Sequence, residues 1–343
     1  MQRTEIATLG EFGLIDLLTK NIQLTQETSI RGVGDDAAIA DHSGKRTLVT
    51  TDLLLEGIHF DLIYVPLKHL GYKAAVVNFS DIYAMNGKPQ QITVSLGISK
   101  RFSVEDIESF YDGLKLACEI YGVDIVGGDI TSSLTGFTIS ITCLGTADEG
   151  TIVYRDGAKD TDLIYVSGDL GASYMGLQLL EREKAVFAGS KELQPDFSGK
   201  EYLLERQLKP EARRDIVNIL AEHEIVPTSM IDISDGLSSD MLHICKQSNV
   251  GCQLFEERLP IDYQTAVMAE TFSMNVTTVA LNGGEDYELL FTVPLHLHET
   301  MSAVTGVHLI GHITKPENGS FLVTRDGQEM QLRAQGWNPL AVE

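Results

Sequence analysis

Four times in this chain a short apolar, strand-like run leads through a tight turn to a carboxylate: TTD (50–52), VGGD (126–129), IDISD (231–235) and GGED (283–286). A bare carboxylate is poorly tolerated in an apolar core. Each acid therefore predicts a point where a strand leaves the core, and connections on a rigid scaffold are where function concentrates. A fifth stretch, GVGDDAAI (32–39), sets Asp35 and Asp36 side by side ahead of small apolar residues. Adjacent carboxylates repel, and an apolar flank makes their charge harder to solvate.

Between these points strands and helices alternate. Residues 5–22 read as a helix, TLVTTD (47–52) as a strand, and 67–86 as a helix with Ala74, Val77, Asp81 and Met85 on one face. QITVSLGI (91–98) is a strand. A helix follows over 103–121, with Ser103 and Asp106 placed as a capping box. VDIVGGD (123–129) and FTISITCLGTA (137–147) are strands. YRDGAKDTD (154–162) reads as a junction, after which the pattern restarts with LIYVSG (163–168) and a glycine-punctuated helix start. Residues 181–201 are polar and read as a mobile insertion; 230–249 read as strand, acidic turn and helix; 277–293 read as strand, Gly-Gly-acid turn and strand. The expectation is an α/β or α+β architecture in two domains, 1–150 and 151–343.

The charge balance narrows the function classes. With 49 Asp and Glu against 26 Lys and Arg, the formal net charge is -23. That argues against nonspecific binding to nucleic acid or an anionic membrane, and leaves anionic ligands open where divalent cations reverse the local potential. No apolar run approaches the ~20 residues of a membrane span, and the N-terminus lacks a signal-like apolar core. Cys118, Cys143, Cys245 and Cys252 form no metal-type spacing, so a reduced, cytoplasmic setting is expected.

Several acids on separate elements suit Mg²⁺, which prefers oxygen ligands and bridges carboxylate to phosphate. Taken singly, each acid also fits a turn or a helix cap, and Asp235 could cap a helix starting near Leu237. Asp81 differs, because it lies in an apolar helix face; it implies a metal or a salt-bridge partner. There is no GxxxxGK[ST], no GxGxxG after a strand, and no HRD or DFG. GDLGASYMG (168–176) reads as a tight strand-to-helix turn, His59 as a ligand contact or a solvent-exposed histidine, and Tyr111 as core packing.

Eight segments together resemble the thiamine-monophosphate kinase family, in the aminoimidazole ribonucleotide synthetase superfamily. They are GVGDDAAI (32–39), TTDLLLEGIHF (50–60), YKAAVVNFSDIYAMNGKP (72–89), VGGDIT (126–131), RDGAK (155–159), SGDLG (167–171), IDISDGLSSD (231–240) and NGGEDYELLF (282–291). The resemblance implies ATP-dependent transfer of the γ-phosphoryl group to thiamine monophosphate, giving thiamine diphosphate. It implies a homodimer whose N-terminal sheets pair into a barrel, and an active site in the cleft between domains. Position by position, it implies metal contacts at Asp36, Thr50, Thr51, Asp52, Asp81, Asp129, Asp232 and Asp235. ATP contacts fall at Tyr111, Gly128, Asp129, Arg155 and Ser234, and acceptor contacts at His59, Glu285 and Trp337. Of the GDD pair, Asp36 is the implied ligand, while Asp35 supports the turn or reaches metal through water. After GGD the family often has Thr then Arg; here Ile130, Thr131 and Ser132 follow. The alternatives are another ATP-using enzyme of the superfamily, and a nucleotide- or divalent-ion-binding protein without turnover.

Overall fold

The structure is a computed structural model that describes residues 4, 14, 17–31, 39–187 and 197–335. The chain divides into two compact units: Met1–Ile82 with Gly87–Gly150, and Tyr83–Asn86 with Thr151–Glu343.

The first unit is built on a four-stranded sheet in the order β3-β6-β4-β5: β3 (Arg46–Leu55), β4 (Lys88–Ile98), β5 (Asp124–Ser132) and β6 (Thr138–Ala147). β6 runs antiparallel to β3 and β4, and β4 runs parallel to β5. A small ribbon of β1 (Ser29–Arg31) and β2 (Ile39–Ala40) forms a separate sheet, tied to β4 where Gln91 Nε2 donates to Ser29 Oγ at 2.8 Å. The two-residue period of a strand divides β3. Leu48 is buried and Thr50 and Asp52 half-buried on one face, while Val49, Thr51 and Leu53 are exposed on the other. The four strands form an open sheet, with β3 and β5 as its edges.

Two helices complete this unit, Leu67–Ala84 and Val104–Tyr121. The second starts with the expected capping box: the Ser103 hydroxyl accepts from the Asp106 N–H, and the Asp106 carboxylate accepts from the Ser103 N–H. The two helices meet through glycines. A Cβ on Gly71 would lie 1.9 Å from the Phe110 carbonyl oxygen, and one on Gly113 would lie 1.7 Å from that of Lys68. Only a residue without a side chain permits that approach. At the far end of the first helix Ile82 fills the space above Gly145, where a Cβ would come within 2.4 Å of its Cγ2.

The second unit carries a seven-stranded sheet in the order β13-β12-β9-β11-β7-β10-β8. Its strands are β7 (Leu163–Ser167), β8 (Ser229–Asp232), β9 (Gly251–Phe255), β10 (Leu289–Val293), β11 (Val307–Thr314), β12 (Ser320–Val323) and β13 (Glu329–Gln331). Every residue of β7, β8 and β10 is buried. The reason is two-sided packing. Ile164, Val166, Ile231 and Leu290 pack with Leu237, Met241 and Ile244 of helix Leu237–Ser248. Their neighbours Leu163, Tyr165, Met230 and Phe291 pack with Ile216 and Leu220 of helix Arg214–Glu222. A third cluster joins helices Ala172–Phe187, Glu201–Leu208, Tyr263–Thr271 and Val276–Asn282 through Met175, Leu179, Leu203, Met268 and Val279.

Three expectations change. Residues 277–282 are helical rather than extended, although the run is β-branched. Asn275 caps the helix by accepting from the Thr278 N–H at 2.9 Å, and burial of Val279 and Ala280 outweighs local propensity. Glu181–Phe187 continue a helix instead of opening an insertion; residues 188–196 lie outside the described residues. Asp52 and Asp129 sit inside strands β3 and β5, not in turns beyond them. Both strands are sheet edges, where a polar residue is accommodated without burial on all sides. Of the helix expected over 5–22, only residue 14 and residues 17–19 are described as helical.

Candidate active site

In the first unit the site begins with two acids. Asp52, on β3, and Asp81, on helix Leu67–Ala84, lie close enough that the charge of Asp81 raises the Asp52 pKa. Burial is the larger cause, and together they push the Asp52 carboxyl up to about 6. The Thr50 hydroxyl donates to Asp81 Oδ2 at 2.5 Å. Thr50, Asp52 and Asp81 therefore form one group offering only oxygen. Thr51 faces the other way: its hydroxyl donates to the Ile141 carbonyl at 3.1 Å and accepts from Thr142 Oγ1 at 3.1 Å. The period of β3 separates the side chains that the TTD motif lists together.

Asp129 is exposed on β5, in register with Ser95 of β4, and Gly128 precedes it in register with Val94. A Cβ at Gly128 would stand 2.0 Å from the Val94 carbonyl oxygen, so this position needs glycine. Tyr111 is core-packed, and burial pushes its phenol up to about 12. His59 is half-buried in the turn after β3, where its Nδ1 accepts from the Leu55 N–H at 3.1 Å. Asp35 and Asp36, with the rest of 32–38, lie outside the described residues, as does Trp337.

In the second unit two acidic loops are sewn together. The Glu285 N–H donates to the Ser234 carbonyl at 2.8 Å, the Tyr287 N–H to that of Ile233 at 2.9 Å, and the Ile233 N–H to that of Glu288 at 2.8 Å. Glu285 and Tyr287 adopt left-handed φ values of 55° and 52°. Side-chain-bearing residues rarely hold that conformation unless their surroundings impose it, and such strain gathers at functional sites. Asp232 ends β8, while Ser234 and Asp235 are exposed in the loop that follows. Asp235 does not cap helix Leu237–Ser248; its N-cap is Gly236, with φ 115°. Instead the buried Asp240 carboxylate reaches back, accepting from the N–H groups of Asp235 at 3.3 Å and Gly236 at 3.1 Å. Burial, then the charges of Asp232 and Asp235, push Asp240 up to about 8. Arg155 is exposed on the loop before β7, next to Tyr154, whose carbonyl accepts from the Met230 N–H at 2.9 Å.

The start of helix Ala172–Phe187 is already occupied. Asp286 accepts from the N–H groups of Gly171 at 2.8 Å and Ser173 at 3.4 Å, so SGDLG is a strand-to-helix turn closed by an internal carboxylate. Beneath it lies a buried charge cluster. Arg206 pairs with Glu288 at 2.9 Å and approaches Asp286 at 3.9 Å, while Arg213 holds Glu288 at 2.5 Å. Tyr202 donates to Asp169. Sequence motifs gave no role to Asp240, Tyr202, Arg206 or Gln207. Asp240 closes the IDISDGLSSD segment, and a carboxylate placed one turn after a helix-starting glycine is the signal that marks it. The other three stand on a helix of 8 residues, too short to show a periodic stripe.

Among the described residues, no three His, Cys, Asp or Glu side chains gather into a metal-holding group. The donors fit a hard cation nonetheless: Thr50, Asp52 and Asp81 offer oxygen alone, and a half-buried like-charged pair invites a counter-charge.

Residues 34–147 match the family of AIR synthase related proteins, N-terminal domain. Over 329 residues the chain is 37% identical to the thiamine-monophosphate kinase of Aquifex aeolicus (strain VF5), covering 96% of this chain and 97% of that relative. Among solved structures, AaThiL complexed with AMPPCP and TMP superposes with a TM-score of 0.74 at 36% identity, over 98% of each chain. The thiamine-monophosphate kinase from Stenotrophomonas maltophilia K279a gives 0.77 at 28% identity, over 92% of this chain and 95% of that one. The mixed α/β fold in two units is that of the AIR synthase relatives. The chain belongs to the thiamine-monophosphate kinase family.

Proposed function

We propose that this chain transfers the γ-phosphoryl group of ATP to the phosphate of thiamine monophosphate, giving thiamine diphosphate and ADP. The observation that carries the reading is the pair of backbone hydrogen bonds from Glu285 and Tyr287 to Ser234 and Ile233. They hold Glu285, which we read as an acceptor contact, against Ser234, which we read as an ATP contact. The relatives named above support the same chemistry.

Asp52 and Asp81 with Thr50, Asp129, and Asp232 with Asp235 would hold Mg²⁺, with Asp36 as a further contact; the Thr51 side chain, turned to the other face of β3, is not part of that group. When bound, Mg²⁺ neutralises the phosphate charge that builds up during transfer. Gly128, Arg155, Ser234 and Tyr111 would contact ATP, although Tyr111 is only 5% exposed. His59, Glu285 and Trp337 would hold the acceptor. That acceptor is already an anionic phosphate, so it needs no strong base to become a nucleophile. The task of the chain is then to align two anions and keep water from competing. No helix among the described residues is long and apolar enough to cross a membrane, and a cytoplasmic location belongs to the same proposal.

Purified protein incubated with ATP, Mg²⁺ and thiamine monophosphate should yield thiamine diphosphate and ADP in equal amounts. Free thiamine in place of the monophosphate should yield neither. ATP binding with no diphosphate formed would overturn the assignment. The open sheet of the first unit, with Val49 and Leu53 65% and 54% exposed on its outer face, supports a homodimer in which two such sheets pair into a barrel. Changing both residues to Asp should convert a dimer to monomers in sedimentation velocity; an unchanged mass would refute that surface.

A further inference from the structure

We propose that Gln207 is a positioning residue for the acceptor site: it holds the Glu285 carboxylate in one orientation through a Ser173–Gln207–Glu285 hydrogen-bond relay. The proposal rests on the reading of Glu285 as a thiamine monophosphate contact.

Gln207 is 5% exposed and Ser173 fully buried. The Ser173 hydroxyl donates to Gln207 Oε1 at 2.5 Å, and Gln207 Nε2 donates to Glu285 Oε2 at 3.0 Å. The direction of the relay follows from chemistry. An ionised carboxylate only accepts, so the amide must turn its NH₂ toward Glu285 and its oxygen toward Ser173. Ser173 must then donate. Each group has one role, and the Glu285 side chain is fixed through its Oε2.

Two further features make this a built arrangement. Helix Glu201–Leu208 lies against helix Ala172–Phe187 at Gly176, where a Cβ would come within 2.2 Å of the Leu203 carbonyl oxygen and 3.0 Å of Gln207 Cβ. That approach places Gln207 deep enough to touch both Ser173 and Glu285. The same helix start also grips the next residue of the loop, because the N–H groups of Gly171 and Ser173 donate to Asp286. Glu285 is thus held at its own N–H by Ser234, at its side chain by Gln207, and through its neighbour Asp286 by the helix end. This restraint sustains the left-handed φ of 55° at a glutamate. It gives the carboxylate a fixed direction before the acceptor arrives, which favours binding because less freedom remains to be lost.

Gln207→Leu removes the donor with little change in volume, and Gln207→Glu replaces it by an acid that donates only when protonated. Steady-state kinetics should be measured with ATP and thiamine monophosphate varied separately, alongside thermal unfolding. In Gln207→Leu the KM for thiamine monophosphate should rise about tenfold or more, as for a lost hydrogen bond to a charged group, with the KM for ATP within about twofold. Adding Glu285→Gln to Gln207→Leu should raise the acceptor KM no further than Glu285→Gln alone, the non-additivity of coupled residues. In Gln207→Glu the acceptor KM should fall toward the wild-type value as pH is lowered and the two carboxyls share a proton. A purely structural Gln207 would instead alter both KM values alike, add to Glu285→Gln, and show no pH-dependent recovery. Those results would overturn the proposal. If Glu285→Gln leaves the acceptor KM unchanged, the reading of Glu285 fails and the proposal with it. If Glu285→Gln raises that KM while Gln207→Leu does not, the reading stands and the relay is refuted.

Discussion

Asp81→Asn should lower turnover of thiamine monophosphate by about 100-fold or more, the scale of losing one electrostatic contact to a transferring group. It should also raise the Mg²⁺ concentration needed for half-maximal rate. The substitution keeps the shape of the side chain and an oxygen able to accept the Thr50 hydroxyl, so the melting temperature should stay close to that of the wild type. What disappears is one charge of the Asp52–Asp81 pair. Asp52, pushed up to about 6 by burial and then by Asp81, would ionise more readily once its neighbour is neutral. Protons should therefore compete with Mg²⁺ below about pH 6 in the wild type, and at lower pH in the variant. Turnover near wild-type rates across a Mg²⁺ titration would remove Asp81 from the mechanism.

A second large effect is expected on stability. Arg206→Met should cost about 3–5 kcal/mol, because it strands charges that the structure buries in pairs. Arg206 pairs with Glu288 and approaches Asp286, and both acids are 1% exposed. Arg213 remains to hold one oxygen of Glu288, but Asp286 would keep only the N–H groups of Gly171 and Ser173, with no second cation beside it among the described residues. For a domain of this size the loss corresponds to a fall in melting temperature on the order of 10 °C. The pH dependence is the sharper signature. Asp286 is held up at about 7, chiefly by burial and against the pull of Arg206. A carboxyl whose folded pKa lies above its unfolded value binds more protons when folded. Its contribution is complete below pH 4 or so and is lost as pH rises through 7. The wild type should thus gain stability between pH 8 and pH 6, and the variant, lacking the guanidinium that pulls the Asp286 pKa down against burial, should gain more. Equal slopes for the two proteins would show that Asp286 does not titrate in this cluster.

The sequence exposed the outline of this molecule well where one physical cue dominates. Ser103 and Asp106 announced a helix start, and the structure has both halves of the capping box. Continuous apolar runs such as LIYVS and LLFTV marked strands that prove to be covered on both faces. Local cues failed where packing between distant segments decides. Val276–Asn282 carries the β-branched residues of a strand, but the buried faces of Val279 and Ala280 make it a helix. At the site, the acids were legible because charge in an apolar run is conspicuous. Their partners were not. Gln207, Ser173 and Arg206 are ordinary in sequence and take on meaning only when helix Glu201–Leu208 is laid under the GGED loop. Thr51 shows the reverse case: it is adjacent to Thr50 and Asp52 in the motif and separated from them by the pleat.

The glycine crossing between helices Leu67–Ala84 and Val104–Tyr121 bears on how this site can vary. Gly71 fixes that first helix at one point, and Ile82, seated above Gly145, fixes it at another. Asp81 stands one residue from the second anchor and ten from the first, ~15 Å along the axis. With both anchors seated, sliding or turning the helix would break close packing at either end, so Asp81 is a surveyed mark from which the rest of the proposed ion-binding group is measured. Drift in the position of a bound cation among related chains should therefore trace to β3 and its side chains, with the helix as the fixed datum.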